Sequence, residues 1–353
     1  MSFSAGIIGL PNVGKSTLFQ ALTKKQVDVS NYPFTTIEPN VGVVEVPDNR
    51  LDQLCQLLKP DKIIPTHIEF VDIAGLVKNA HQGEGLGNQF LAQIREVKAI
   101  IHLVRIFSDK NVSHVAGDIN PEQDIAIVNL ELIMADLATI QKKLVEVVPK
   151  ANTGEVEALA LQPVLLKIKA HLEKENLINT LSLSPEEEDQ IKGFHLLTAK
   201  PVIYVLNSEE ERRGQNLQVK TSSPLNCLTL SAKLEAELAD LSNKEITELG
   251  YAESGLDKLI KETYRLLNLI TFFTTANNIL QAWTVQAGTL APEAAASVHT
   301  DFAEGFIKAD VINWQALIKS GNTKTAHDQG LIKTVGKEYP VQDGDVLKFK
   351  FKT

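Results

Sequence analysis

Cysteine is nearly absent from this 353-residue chain; Cys55 and Cys227 are the only two, far apart in sequence. A disulfide framework is therefore excluded, and the low count fits a reducing compartment. No apolar run approaches the roughly 20 residues that span a bilayer. The opening Met1-Ser2-Phe3-Ser4-Ala5-Gly6 has no basic stretch before an apolar one, so no signal peptide is expected. A cytoplasmic location follows as the expectation, with no membrane partner. An excess of positive charge is also missing. The formal net charge is −9, which argues against a surface coated for nucleic acid, and no DNA partner is expected. With 44% hydrophobic and 22% charged residues, disorder as the main state is excluded. The length allows two or three domains.

The charge is unevenly spread. Residues 276–353 hold eight Lys, no Arg and eight acidic residues, whereas residues 1–275 hold 27 basic against 36 acidic residues. If RNA is a partner, the neutral tail is the better candidate to meet it.

Apolar runs at residues 3–10, 67–73, 99–106, 201–206 and 226–230 alternate with stretches of helical spacing, the first at 16–24. This alternation predicts an α/β domain with a mainly parallel sheet. After Asp124 the pattern changes. Leu130, Ile133, Leu137, Ile140, Leu144 and Val147 are spaced 3-4-3-4-3, a helical stripe. Leu161, Leu165, Ile168 and Leu172 form a second one. Pro149, Asn152 and Gly154 lie between, as a turn would require, and Pro163 marks a first turn or a kink. An antiparallel hairpin follows, either binding a partner or burying its helices against each other. A third helix is expected from Ser184-Pro185-Glu186-Glu187, with Ser184 as N-cap and Glu187 as reciprocal acceptor, running toward Leu197. The helical region thus looks inserted between two strands. The end, Leu347-Lys348-Phe349-Lys350-Phe351-Lys352, alternates with period two and reads as a half-buried strand, its lysine face best explained as edge protection.

Gly9-Leu10-Pro11-Asn12-Val13-Gly14-Lys15-Ser16 matches the phosphate-binding loop pattern. Its glycines let backbone N–H groups wrap a phosphate, and the following helix offers its positive end. Lys15 would reach the β- and γ-phosphates and Ser16 would ligate Mg²⁺. Asp72-Ile73-Ala74-Gly75 follows an apolar strand. Asp72 would act on Mg²⁺ through water and the Gly75 amide would meet the γ-phosphate. In Asn31-Tyr32-Pro33-Phe34-Thr35-Thr36-Ile37-Glu38-Pro39, Thr35 or, preferably, Thr36 would complete the metal shell, as in a segment that orders on nucleotide binding. At Asn207-Ser208-Glu209-Glu210 a guanine-specific site would carry Asn-Lys-x-Asp. Ser208 and Glu210 replace the Lys and the Asp, which weakens a GTP reading and opens an ATP one. Ser231-Ala232-Lys233 fits the last base-side loop.

With these motifs, and with Gly83-Glu84-Gly85-Leu86-Gly87-Asn88-Gln89-Phe90-Leu91, Ala282-Trp283-Thr284, His299-Thr300-Asp301-Phe302, Gly305-Phe306-Ile307 and Asp343-Gly344-Asp345-Val346, the chain resembles the YchF subfamily of Obg-like ATPases over essentially its whole length. The resemblance implies a P-loop α/β domain (1–128 and 199–275), an inserted antiparallel helical hairpin (129–198) and a C-terminal β-grasp module of the TGS type (276–353). It implies slow ATP hydrolysis, with GTP used more weakly, and association with the ribosome at a large-subunit or rRNA surface. The Asn-x-x-Glu element at Asn207 and Glu210 is the family's own variant. Leu76 stands where a water-orienting glutamine is usual. The resemblance offers His114, in Ser113-His114-Val115-Ala116-Gly117, for hydrolysis, and Asn12 as a K⁺ ligand near the phosphates. The chain departs from the family at Ile279-Leu280-Gln281, Ala295-Ala296-Ser297 and Lys333, which leaves open which tail residues would touch RNA.

The expected protein is an ATP-driven switch. Lys15 and His114 are the catalytic candidates. Asn12, Val13, Gly14, Lys15, Ser16, Thr17, Gly75, Asn207, Glu210, Ser231 and Ala232 are the nucleotide contacts, and Ser16, Thr36 and Asp72 hold Mg²⁺. An Obg-type GTPase and a ribosome-binding scaffold with nucleotide as mere ligand are the alternatives. The oligomeric state is open.

Overall fold

Ala99–Arg105 is buried at all seven positions. A strand covered on both faces belongs inside a parallel sheet, and it takes that place in the computed structural model. The structure describes residues 3–25, 40–73, 86–108, 119–209 and 226–352. In chain order the strands are β1 (Ser4–Ile8), β2 (Val41–Glu45), β3 (Lys62–Ile64), β4 (His67–Asp72), β5 (Ala99–Arg105), β6 (Val202–Asn207), β7 (Cys227–Leu230), β8 (Leu269–Ala276), β9 (Ile279–Gln286), β10 (Phe306–Asn313), β11 (Lys333–Val335) and β12 (Asp345–Phe351). The helices are α1 (Lys15–Lys24), α2 (Asn49–Leu58), α3 (Leu86–Glu96), α4 (Pro121–Asn152), α5 (Val156–Leu172), α6 (Pro185–Ile191), α7 (Ala232–Leu238), α8 (Asn243–Glu248), α9 (Gly255–Leu266), α10 (Ala291–Val298), α11 (Thr300–Glu304), α12 (Trp314–Ser320) and α13 (Thr323–Asp328). Two compact units result, one drawn from residues 1–24, 38–42 and 69–256, the other from 25–37, 43–68 and 257–353.

The first sheet has the order β2-β4-β1-β5-β6-β7, and β4-β1-β5-β6-β7 run parallel. The order leaves β1 in both directions, and an α/β sheet binds ligands at the carboxyl ends flanking such a point. All five expected strands of this sheet form.

The helical arm is an α4–α5 hairpin. Asn120 caps α4 by accepting from the Gln123 N–H at 3.1 Å, Pro121 opens the helix, and Glu122 and Asp124 complement its dipole. Ile133, Ile140 and Val147 of the expected stripe are buried against Leu165, Ile168 and Leu172 of the second. Leu130 differs; it is 45% exposed. Pro149 does not end α4 but sits in its last turn, and the reversal falls at 153–155 with Gly154 at φ +87. Ser184 and Glu187 close the expected capping box on α6, which stops at Ile191. His195, in the left-handed region, then turns the chain before Leu197.

In the second unit the sheet order is β11-β10-β12-β8-β9-β3. Leu51 and Leu54 of α2 pack with Phe273, Leu280, Ala282 and Ile312, and β3 pairs with β9 from Lys62–Ile279 to Ile64–Gln281. This unit is therefore not one continuous stretch of chain. The last strand forms, with β10 paired along it and β8 paired at Val346 and Leu347, so its lysines follow the part that lies between two strands. Period-two alternation reports a half-covered strand and says nothing of its neighbours. Lys350 pairs with Asp310, which also accepts from Thr334.

Candidate nucleotide site

The chain leaves β1 at Ile8, wraps through Gly9–Gly14 and enters α1. Gly9 has φ +153, and a Cβ there would lie 2.4 Å from the Leu103 carbonyl oxygen of β5. Gly14 has φ +100, and its Cβ would lie 2.4 Å from Asn207 Nδ2. Both positions thus exclude a side chain by conformation and by space. Asn12 adopts φ +63, a region asparagine tolerates better than most residues. Val13 is buried beneath the loop and anchors it. Helix α1 has no acid in its first turn, leaving its positive end free of competing charge.

The Lys15 ammonium folds back over the loop and donates to the Gly9 carbonyl at 3.1 Å and the Leu10 carbonyl at 2.9 Å. Burial lowers its pKa, and the negative charge of Asp72 works against that. Ser16 is exposed at the first turn of α1 and Thr17 half-buried. Asp72 ends β4 in register with Ile7 of β1. Burial raises its carboxyl pKa, with Lys15 pulling it back. A half-buried carboxylate whose charge is costly, within electrostatic reach of Lys15, which Ser16 follows in the chain, suits a divalent cation. Among the described residues no three His, Cys, Asp or Glu side chains cluster as a metal cage. A hard cation here would take Ser16, Asp72, water and ligand oxygens, the usual Mg²⁺ arrangement.

Asn207 closes the other side. Its Nδ2 donates to the Val13 carbonyl at 2.9 Å, and its Oδ1 accepts from the Ala232 N–H at 2.9 Å. The expected base-side asparagine thereby holds the phosphate loop to the start of α7. Ser231 caps α7, accepting from the Leu234 N–H. Ser208 is buried, its N–H donating to the Leu230 carbonyl at 2.8 Å and its hydroxyl to the same oxygen at 3.3 Å. Glu209 accepts from the Ser108 N–H at 3.1 Å, joining the ends of β5 and β6. The structure thus brings together Asn12, Val13, Gly14, Lys15, Ser16, Thr17, Asp72, Asn207, Ser231 and Ala232. Thr36, Gly75, His114 and Glu210 lie outside the described residues.

Two residues behind the loop carry no motif. His102 on β5 is in register with Ile8 and Tyr204, its ring 5.3 Å from that of Tyr204. Burial, aided by the charge of Lys15, lowers its pKa to about 3, so it stays neutral. Arg105, 2% exposed, donates from Nε to the Phe107 carbonyl at 3.1 Å and lays its guanidinium 4.5 Å from the Phe107 ring centre. The available signal was a cation ending an otherwise apolar strand.

Residues 4–152 match the family model described as 50S ribosome-binding GTPase, and residues 269–352 match the YchF GTPase C-terminal model, described as a protein of unknown function. The Ribosome-binding ATPase YchF of Bacillus subtilis is 44% identical over 364 residues, covering 99% of this chain and 100% of the relative. That of Escherichia coli O157:H7 is 45% identical over 361 residues, covering 99% of each. The solved YchF GTPase of Schizosaccharomyces pombe superposes with TM-score 0.87 at 36% identity, covering 99% of this chain and 98% of the other.

Proposed function

The chain belongs to the YchF family, and from that premise we propose that it is a Mg²⁺-dependent, ribosome-binding ATPase working as a nucleotide switch. The observation that carries the reading is the loop itself, in which neither Gly9 nor Gly14 has room for a Cβ and Lys15 covers the loop carbonyls. The loop N–H groups and the start of α1 would bind the phosphates, and Lys15 would exchange its loop carbonyls for phosphate oxygens. Ser16, Thr36 and Asp72 would hold Mg²⁺, which supplies charge neutralisation and orientation of the phosphates. Gly75 would bind the γ-phosphate, His114 would act in hydrolysis, and Asn12 would take K⁺.

Preference for ATP over GTP is supported by Ser208. Its hydroxyl turns inward to Leu230, so no long cationic side chain covers the base from that position. Glu210, Ser231 and Ala232 complete the base side of the proposal. The parts we assign are 1–128 with 199–275 for nucleotide, 129–198 for the helical arm and 276–353 for the C-terminal module. The arm and that module would meet the large subunit or its rRNA, in the cytoplasm. Among the described residues no helix is long and apolar enough to cross a membrane.

Titration with labelled ATP and GTP tests the reading. Lys15→Ala should weaken ATP binding by about 100-fold or more, the worth of charge-assisted bonds to phosphate. ATP affinity surviving both Lys15→Ala and Ser16→Ala would remove the assignment, and a tenfold preference for GTP would overturn the ATP reading.

A further inference from the structure

We propose that the carboxyl-terminal turn of α3 fastens the helical arm to the nucleotide site, so that the direction of the arm follows the nucleotide state. The inference rests on the switch function above and adds the contact that transmits it. Helix α4 is one rod of 32 residues, about 48 Å long at 1.5 Å per residue. Near its start Ile125 packs on Val104, Tyr204 and Leu206 of the sheet. Farther out Ile140, Val147 and Ala151 pack in the core that α5 shares.

The root lies between these two parts. Asp136, fully buried, accepts from the Leu197 N–H at 2.9 Å, the Thr198 N–H at 2.8 Å and the Thr198 hydroxyl at 2.7 Å. The same stretch holds the chain returning from α5, because Asn179 donates from its N–H to the Thr198 carbonyl at 2.9 Å and from Nδ2 to the Lys200 carbonyl at 3.1 Å. Helix α3 is tied in twice. The Arg95 guanidinium donates to Thr139 Oγ1 of α4 at 3.2 Å and to the His195 carbonyl at 3.3 Å. Lys200 Nζ donates to the Arg95 carbonyl at 3.0 Å and to the Val97 carbonyl, capping orphan acceptors at the helix end.

Helix α3 is the first described element after Asp72 and Ile73. A shift of α3 cannot be absorbed at its far end, where both its last carbonyls and a side chain are held. Packed elements respond to such shifts by moving as bodies. From Thr139 to the tip at Asn152 the rod extends about 20 Å, which enlarges any tilt begun at the root.

The test uses the full chain with Cys55→Ser and Cys227→Ser and spin labels at Asn152→Cys and Glu237→Cys. Pulsed-EPR distances are compared in Mg²⁺-ADP and in a non-hydrolysable Mg²⁺-ATP analogue. The labelled parent should change its mean distance by about 2 Å or more, the scale of helix shifts in switching proteins. Thr139→Val, which removes one acceptor of Arg95, and Lys200→Met should each cut the change at least in half while analogue affinity stays within threefold. An unchanged distance in a parent that binds the analogue would overturn the coupling, as would a full change in both variants. A parent that does not bind the analogue would sink the nucleotide reading and this inference with it.

Discussion

Asn207 and Asp136 each tie distant stretches of chain together, one beside the phosphate loop and one at the root of the helical arm. They use different chemistry. Asn207 meets one acceptor, the Val13 carbonyl, and one donor, the Ala232 N–H, and an amide is the group that offers both. Asp136 meets three donors from Leu197 and Thr198, and a carboxylate only accepts. Burial raises the Asp136 pKa, and the bonds from Thr198 and Leu197 oppose that rise. The partners select the group, so exchanging amide for acid at either place should fail for opposite reasons.

The largest effect is expected at the arm. Asp136→Ala orphans two buried N–H groups and a hydroxyl and should cost about 3–5 kcal/mol, read by denaturant unfolding. Asp136→Asn places an NH₂ against a donor and should cost less, about 2 kcal/mol. Neither should change ATP affinity more than about threefold. A loss of ATP binding as large as the loss of stability would show that the two ties are not separate.

At the nucleotide site the effects should be smaller in stability and larger in binding. Asn207→Ala should cost about 2 kcal/mol and weaken ATP about tenfold, while Asn207→Asp, which sets a carboxylate against the Val13 carbonyl, should be no better. Gly14→Ala approaches the same amide from the other side, since its Cβ would meet Nδ2 at 2.4 Å. The two changes should therefore be less than additive. Gly14→Ala should cost less in the Asn207→Ala background than in the parent, leaving mainly the strain of φ +100. Strict additivity in equilibrium unfolding would mean that the collision with Asn207 is not what reserves position 14 for glycine.

These two ties were unequally legible. The phosphate loop is legible because backbone conformation dictates residue identity there, and Asn207 is legible from its place after an apolar strand. The hairpin was readable because its 3-4 spacing is the burial pattern itself. Asp136, three residues after Ile133 and four before Ile140, falls on the face of that stripe, where a carboxylate has no local partner. Its donors come from 61 and 62 residues away, and no local pattern announces them. The same holds for α2 and β3, whose membership of the second unit depends on β9 and Phe273 far along the chain. His102 and Arg105 are not legible in the sequence, because a buried polar residue in a strand has no periodic signature.

A second carboxylate, Asp72, completes the contrast, and its expected effect is the smallest. Where Asp136 is satisfied by donors of the fold, Asp72 bears a burial cost that the charge of Lys15 offsets in part. Its pKa in the folded chain lies above the ordinary value, so between the two the folded state binds more protons than the unfolded one. Stability then falls as pH rises through that window, and at neutral pH the ionised group is a net cost. Asp72→Asn should accordingly leave the nucleotide-free protein as stable as the parent or raise its Tm by about 1–2 °C. With Mg²⁺ and ATP the order should reverse, because ligand binding stabilises in proportion to its affinity for the folded state and the amide is a poorer partner for the cation. Thermal unfolding of both proteins, with and without Mg²⁺-ATP, reads this directly. A variant at least as stable as the parent in both conditions would mean that the carboxylate does not hold the cation.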